Sequence, residues 1–150
     1  MTNHPPCNGS SLGLMFRQVR DAMWARAERE LADAGHELTF SQYITLKTLG
    51  NDGRAGVSEL ARAAQLHPGA MTRLLDKLEA QGLVARVVDP QDRRALHIDL
   101  TDSGREMWQA VSDIGRRVHA RAMQGLDDAE QAHLMNLLVR VRDNLSSDLD

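Results

Sequence analysis

The chain is poor in the residues that staple, kink or stack a fold. Cys7 is its single cysteine, which rules out an internal disulfide and fits a chain of the reducing cytoplasm. Only 4 prolines occur, and aromatic side chains make up 3% of the residues, a composition that leans helical. No apolar run reaches the length of a membrane span, and Met1 to Ser11 has neither the basic start nor the apolar stretch of a secretion signal. The expectation is therefore a cytoplasmic protein with no membrane partner. Neither sign of charge dominates: 18 basic against 21 acidic side chains leave a net charge of -3. That excludes a polycation coating nucleic acid along its whole surface but permits a local basic face.

What is present is a globular composition. With 150 residues, 42% of them hydrophobic and 26% charged, one domain can bury a core without metals or disulfides. Its charge is uneven. From Arg54 to Arg94 seven basic residues stand against five acidic ones, whereas from Asp127 to Asp150 two arginines stand against six acids. The middle can face an anion and the end repels one. The rings are segregated too: Phe16, Trp24, Phe40 and Tyr43 come early, Trp108 comes late, and no Phe, Trp or Tyr lies between.

Apolar spacing predicts helices at both ends. Ser10 or Ser11 is a candidate cap for a helix to about Ala34, striped by Leu12, Phe16, Val19, Met23, Ala27 and Leu31. Thr39 with Gln42 forms a capping box, and Leu38 with Tyr43 a hydrophobic staple, for a helix through Leu49 that the Gly50-Asn51-Asp52-Gly53 run should break. Thr101 caps a helix to about Met123. Asp127 with Glu130 boxes a last helix striped by Leu134, Leu137, Leu138, Val141 and Leu145. These flanking helices carry more apolar surface than a small central module can cover, which implies a partner, most simply a second copy of the chain.

The centre has a different rhythm. Ser58 is a candidate cap for a short helix, Leu66-His67-Pro68 turns the chain, and a second helix beginning at Pro68 turns Met71, Leu74, Leu75 and Leu78 inward. Its wet face holds Gly69, Ala70, Thr72, Arg73, Asp76 and Lys77. Two strands follow, Leu83 to Val88 and Ala95 to Leu100, the latter with Leu96, Ile98 and Leu100 on its apolar side and joined to the first by a cationic tip. The fold class expected is mainly α with a small β hairpin: a winged helix-turn-helix over 37–101, dimerisation helices at 12–36 and 102–150, and a flexible tail at 1–11. Such a helix fits the DNA major groove while the hairpin reaches backbone or minor groove. Arg73 has the guanidinium fork that matches guanine, Thr72 suits phosphate or base, and Lys77 suits phosphate. Gly69 and Ala70 either allow close approach to DNA or simply pack at the turn.

Three stretches carry a family resemblance: Leu38 to Gln42, Met71 to Val84, and Asp92-Arg93-Arg94 continuing through Leu100 to Gly104. In this order and spacing, the chain after about its tenth residue resembles the MarR family of bacterial transcriptional regulators. The resemblance implies a homodimer on double-stranded DNA with an inverted-repeat operator. It also implies repression of its own and neighbouring genes, relieved by a small, commonly phenolic or lipophilic, anion. Residue by residue, Thr72 and Arg73 match recognition-helix contacts. Asp92 and Arg94 match the wing pair, in which the acid orients the turn and the arginine enters the minor groove, with Arg93 beside it as a phosphate contact. His67 departs from the Ser or Asp usual at that cap, yet a neutral ring nitrogen can accept the same amide hydrogen bond. Gly69 is a second departure and leaves the operator open.

Other readings are weaker. Redox-sensing members of the family that the chain resembles place a reactive cysteine early in the first helix, and Cys7 lies upstream of it. Metal binding finds six scattered histidines without an i,i+4 pair, leaving only His4 with Cys7 in the tail or an assembly of His119, His133 and carboxylates. No nucleophile–base pair or cofactor loop is evident, so neither an enzyme nor a cofactor is expected. A winged module that binds only protein leaves the basic wing tip unexplained; an activator or a metal-responsive regulator of the same fold stays open. For the effector, Arg20, Trp24, Tyr43 and Trp108 are the candidate ligand-binding residues, the rings otherwise serving only as core.

Overall fold

Helix starts follow the side chains able to satisfy free amide groups. Thr39 Oγ1 accepts the Gln42 N–H at 3.2 Å while Gln42 Oε1 accepts the Thr39 N–H at 3.0 Å. Asp127 and Glu130 make the same reciprocal pair at 2.9 Å. Thr101 Oγ1 accepts the Gly104 N–H at 3.0 Å and donates to the Gly82 carbonyl, tying a helix start to the turn that precedes the hairpin.

The computed structural model describes residues 9–147. The elements run α1 (Gly9–Asp33), α2 (Phe40–Asp52), β1 (Ala55–Gly56), α3 (Val57–Ala64), α4 (Pro68–Ala80), β2 (Val84–Val88), β3 (Leu96–Leu100), α5 (Asp102–Ala122) and α6 (Asp128–Ser146). The sheet is antiparallel in the order β1-β3-β2. Ala55 pairs with Ile98 on one side of β3, and Arg86 pairs with Ile98 on the other.

Leu46, Leu60, Met71, Leu75, Leu78 and Ile98 are fully buried and join α2, α3, α4 and β3 into one core. Each such side chain contributes on the order of 1.5–3 kcal/mol by leaving water. The core continues through Leu31, Val111, Ile114 and Val118, where α1 meets α5, and Arg117 adds a 2.8 Å bond to Glu30 across that seam. At the foot of α5, Gly104 lies so near the Leu83 carbonyl that a Cβ would sit 1.9 Å from the oxygen.

Several sequence expectations need correction. α1 is already helical at Gly9, ahead of the Ser10 or Ser11 start expected from the sequence. Gly50, Asn51 and Asp52 continue α2, which stops at Gly53 with φ +84°; Gly50 is a packing residue rather than a breaker. Ser58 is inside α3, whose cap position is Gly56, held by the pairing of β1 with β3. That two-residue strand is too short for period-2 patterning to reveal. Leu96 is exposed rather than inward, because it lies where the hairpin leaves the helices, while Ile98 and Leu100 are buried. The stripe on α1 divides: Ala27 and Leu31 are buried, whereas Leu12, Phe16 and Val19 face outward, and α6 buries no residue. Cys7 and His4, the tail residues considered for redox and metal chemistry, lie outside the described residues.

Candidate nucleic-acid interface and ligand cavity

α3 ends at Gln65, a left-handed residue at φ +53° whose N–H bonds back to the Arg62 carbonyl at 3.2 Å. That conformation turns the chain so that α4 leaves α3 at once. His67 caps α4 through Nδ1, which accepts the Gly69 N–H at 3.3 Å, and Pro68 takes the first helical position. With Met71, Leu75 and Leu78 buried beneath it, α4 presents Gly69, Thr72, Arg73, Asp76 and Lys77 to solvent, with Ala70 half-buried. Among the described residues, neither Arg73 nor Lys77 has a protein partner. Thr72 is different: its Oγ1 donates to the Pro68 carbonyl at 3.0 Å, leaving a methyl group and an acceptor lone pair outward. Binding a phosphate, which needs a donor, would require giving up that bond.

The wing tip is built by its own acids. Asp92 accepts the Arg94 N–H at 3.0 Å and Asp89 accepts the Gln91 N–H at 2.9 Å, while the Ala95 N–H bonds to the Asp92 carbonyl at 3.0 Å. The carboxylates face their own backbone, and Arg93 and Arg94 are exposed. Sequence reasoning missed the role of Arg86 on β2. Its guanidinium donates to Asp76 at 2.6 Å and to Glu79 at 2.7 Å, both on α4. These hydrogen bonds, led by that to Asp76, raise its pKa above the ordinary arginine range.

A cavity of about 820 Å³ opens where α1, α2 and α5 meet. Arg20, Trp24, Tyr43 and Trp108, spread over 89 positions of sequence, all line it. Trp24 packs edge-on against Phe40 at 5.2 Å and tilted against Tyr43 at 5.4 Å. Burial raises the pKa of the Tyr43 phenol, so it is a neutral donor at pH 7. Sequence reasoning also missed Phe40, Lys47, Ser112, Arg116 and His119 on the wall. The signal was helical spacing: Lys47 lies four residues after Tyr43, and Ser112 four after Trp108. Among the described residues, no carboxylate lines the cavity. Arg20 is paired with Asp21 at 3.0 Å and Arg116 with Asp113, whereas Lys47 is without a partner among the described residues. The same residues include no group of three His, Cys, Asp or Glu able to hold a metal ion and no helix long and apolar enough to cross a membrane.

A helix-turn-helix followed by a basic-tipped wing and carried between long helices defines a winged-helix DNA-binding regulator. Comparison with known proteins gives the family. The MarR family profile matches residues 38–96. The crystal structure of transcriptional regulator PA3341 superposes with a TM-score of 0.82 at 31% identity, over 91% of this chain and 98% of that one. The transcriptional regulator TtmR of Methylorubrum extorquens is 36% identical over 81% of this chain, which spans 61% of that relative's length. The transcriptional repressor MdtR of Bacillus subtilis is 26% identical over 92% of this chain and 85% of its own. The chain belongs to the MarR family, a family of DNA-binding regulators rather than enzymes.

Proposed function

We propose that the protein is a homodimeric repressor of its own and neighbouring genes, released from an inverted-repeat operator by a small aromatic or lipophilic acid. The observation that carries the reading is the cavity between α1, α5 and α2, walled by rings and cations with no carboxylate among the described residues. An acid of that kind would lay its ring among Trp24, Tyr43 and Trp108 and its charge toward Lys47, with Arg20 as the second cation. α2 belongs to the same core as α3 and α4, so a ligand that shifts α2 against α5 changes the spacing of the two recognition helices in a dimer. Release then requires tighter binding to free dimer than to operator-bound dimer, by the same factor in both directions.

Dimerisation is supported by the exposed Leu12 of α1, by Phe16 and Val19, which stay exposed while lining the cavity, and by α6, whose Leu134, Leu138 and Val141 stay partly exposed in the single chain. On DNA, α4 would enter the major groove with Arg73 on a base and Lys77 on phosphate, while Arg94 enters the minor groove with Arg93 beside it. Gly69 and Ala70 would let the α4 backbone come close, and Asp92 would hold the wing turn. The name of the relative MdtR, a repressor, favours repression over activation.

Tryptophan fluorescence titrated with substituted benzoates and phenols, with and without DNA from upstream of its own gene, tests the reading. Saturable quenching weakened by that DNA is expected. Equal ligand affinity in both states would remove the regulatory part, and a folded monomer at micromolar concentration in sedimentation would remove the dimer.

A further inference from the structure

Arg86 lies on β2, yet both its hydrogen-bonding partners lie on α4. The solvent face of α4 carries Arg73 and Lys77, but also Asp76 and Glu79, so on its own it is electrically neutral. A neutral helix has no electrostatic reason to approach a phosphate backbone, and its two carboxylates would repel it. One guanidinium answers both. Arg86 Nη2 reaches Asp76 at 2.6 Å and Nη1 reaches Glu79 at 2.7 Å, the forked geometry that arginine has and lysine lacks. Its side chain is 28% exposed, against 62% for Asp76 and 46% for Glu79, so it covers the acids from the sheet side and leaves the outer face to Arg73 and Lys77.

We propose that Arg86 is a charge-covering residue for DNA binding: hydrogen-bonded to both Asp76 and Glu79, its single positive charge offsets half of theirs and thereby turns the recognition helix from a neutral surface into a cationic one, while fixing the angle between helix and wing. The two roles are separable. Covering acts on any duplex, because it is electrostatic; fixing the angle acts only where α4 and the wing must meet a particular sequence together. The inference rests on the reading that α4 faces DNA.

The test uses the full chain and a random-sequence duplex, with binding followed by fluorescence anisotropy over a range of salt. Arg86→Gln should weaken random-duplex binding about tenfold and flatten its salt dependence. Adding Asp76→Asn and Glu79→Gln to that variant should restore the affinity, because the acids no longer need covering. Asp76→Asn with Glu79→Gln alone, which leaves Arg86 charged, should bind about tenfold more tightly than the parent. This last variant keeps the inference open to refutation even where Arg86→Gln fails to fold. Unchanged binding in it, or a triple variant as weak as Arg86→Gln, would overturn the covering role. Arg73→Ala with Lys77→Ala is the separate control: retention of random-duplex binding there would remove α4 from the DNA, whereas loss there beside an unaffected Arg86→Gln would remove the covering role alone.

Discussion

The indole of Trp108 lies flat against Gly50. A Cβ on Gly50 would fall 2.2 Å from Trp108 Cδ2 and 2.3 Å from Cε2, so the last turn of α2 and the middle of α5 approach to a distance only glycine permits. Because Trp108 also lines the cavity, this contact joins the cavity to the helix that leads into β1 and α3.

Gly50→Ala measures that contact. Alanine would ordinarily stabilise a helix interior by up to about 1 kcal/mol over glycine, but displacing a packed indole costs about 1–3 kcal/mol. The clash should win. Thermal unfolding is expected to show a net loss of about 1–2 kcal/mol in the parent background and a neutral or positive effect in Trp108→Leu. Equal losses in both backgrounds would mean that the ring is not what Gly50 accommodates.

The unusual cap on α4 gives a second prediction. His67→Ala should lower stability by about 1 kcal/mol, since the Gly69 N–H loses its acceptor, whereas His67→Ser should match or exceed the parent. Urea midpoints at constant m-value decide this. If alanine and serine behave alike, the bond from Gly69 to Nδ1 contributes nothing.

Binding measurements sort the cations on α4 and the wing. Arg73→Ala should lose preference for the operator over random DNA, by about 1–3 kcal/mol for a bidentate base contact. Lys77→Ala should weaken both alike and reduce the salt slope by about one. Arg94→Ala should lose affinity mainly where the flanking minor groove is narrow and A/T-rich. A uniform loss for all three on both duplexes would leave no base reader among them.

Tyr43 is the chain's single tyrosine, so ultraviolet titration of the phenolate reports it without interference. Burial raises its pKa, and the apparent midpoint should lie above that of a free phenol and fall back in Trp24→Ala, which opens the site. The sign follows from linkage: with the folded pKa above the unfolded value, the contribution to stability is complete below about pH 10 and is lost as pH rises through the folded pKa. A midpoint at or below the ordinary value would contradict a half-buried phenol.

Local chemistry made much of the fold legible. The capping boxes at Thr39 and Asp127, the Thr101 cap, Pro68 opening α4, and the inward set Met71, Leu75 and Leu78 each depend on neighbours within four residues. The bond from the Arg94 amide to Asp92 is equally local, but the family resemblance, not local chemistry, named it. Caps failed where tertiary contacts supplied the reason for an element: Ser58 looked like a helix start, but the β1–β3 pairing fixes the chain two residues earlier. Trp24, Tyr43 and Trp108 stood out as rings segregated to the two flanks of the chain, outside its central segment, which was enough to nominate them. Lys47 did not, being one exposed cation among many.

The sequence by itself determined where α2, α4, α5 and α6 start, which face of α4 is dry, and that the middle of the chain has a helix-turn-helix and a cationic hairpin tip. These are short-range matters, governed by amide satisfaction and by apolar periods of 3.6 and 2. Tertiary structure alone decided that Gly50 receives Trp108, that Arg86 covers two acids seven and ten residues away, and that side chains from α1, α2 and α5 share one cavity. Those pairings depend on how helices and sheet pack once formed, and that geometry comes from the whole core rather than from any one segment.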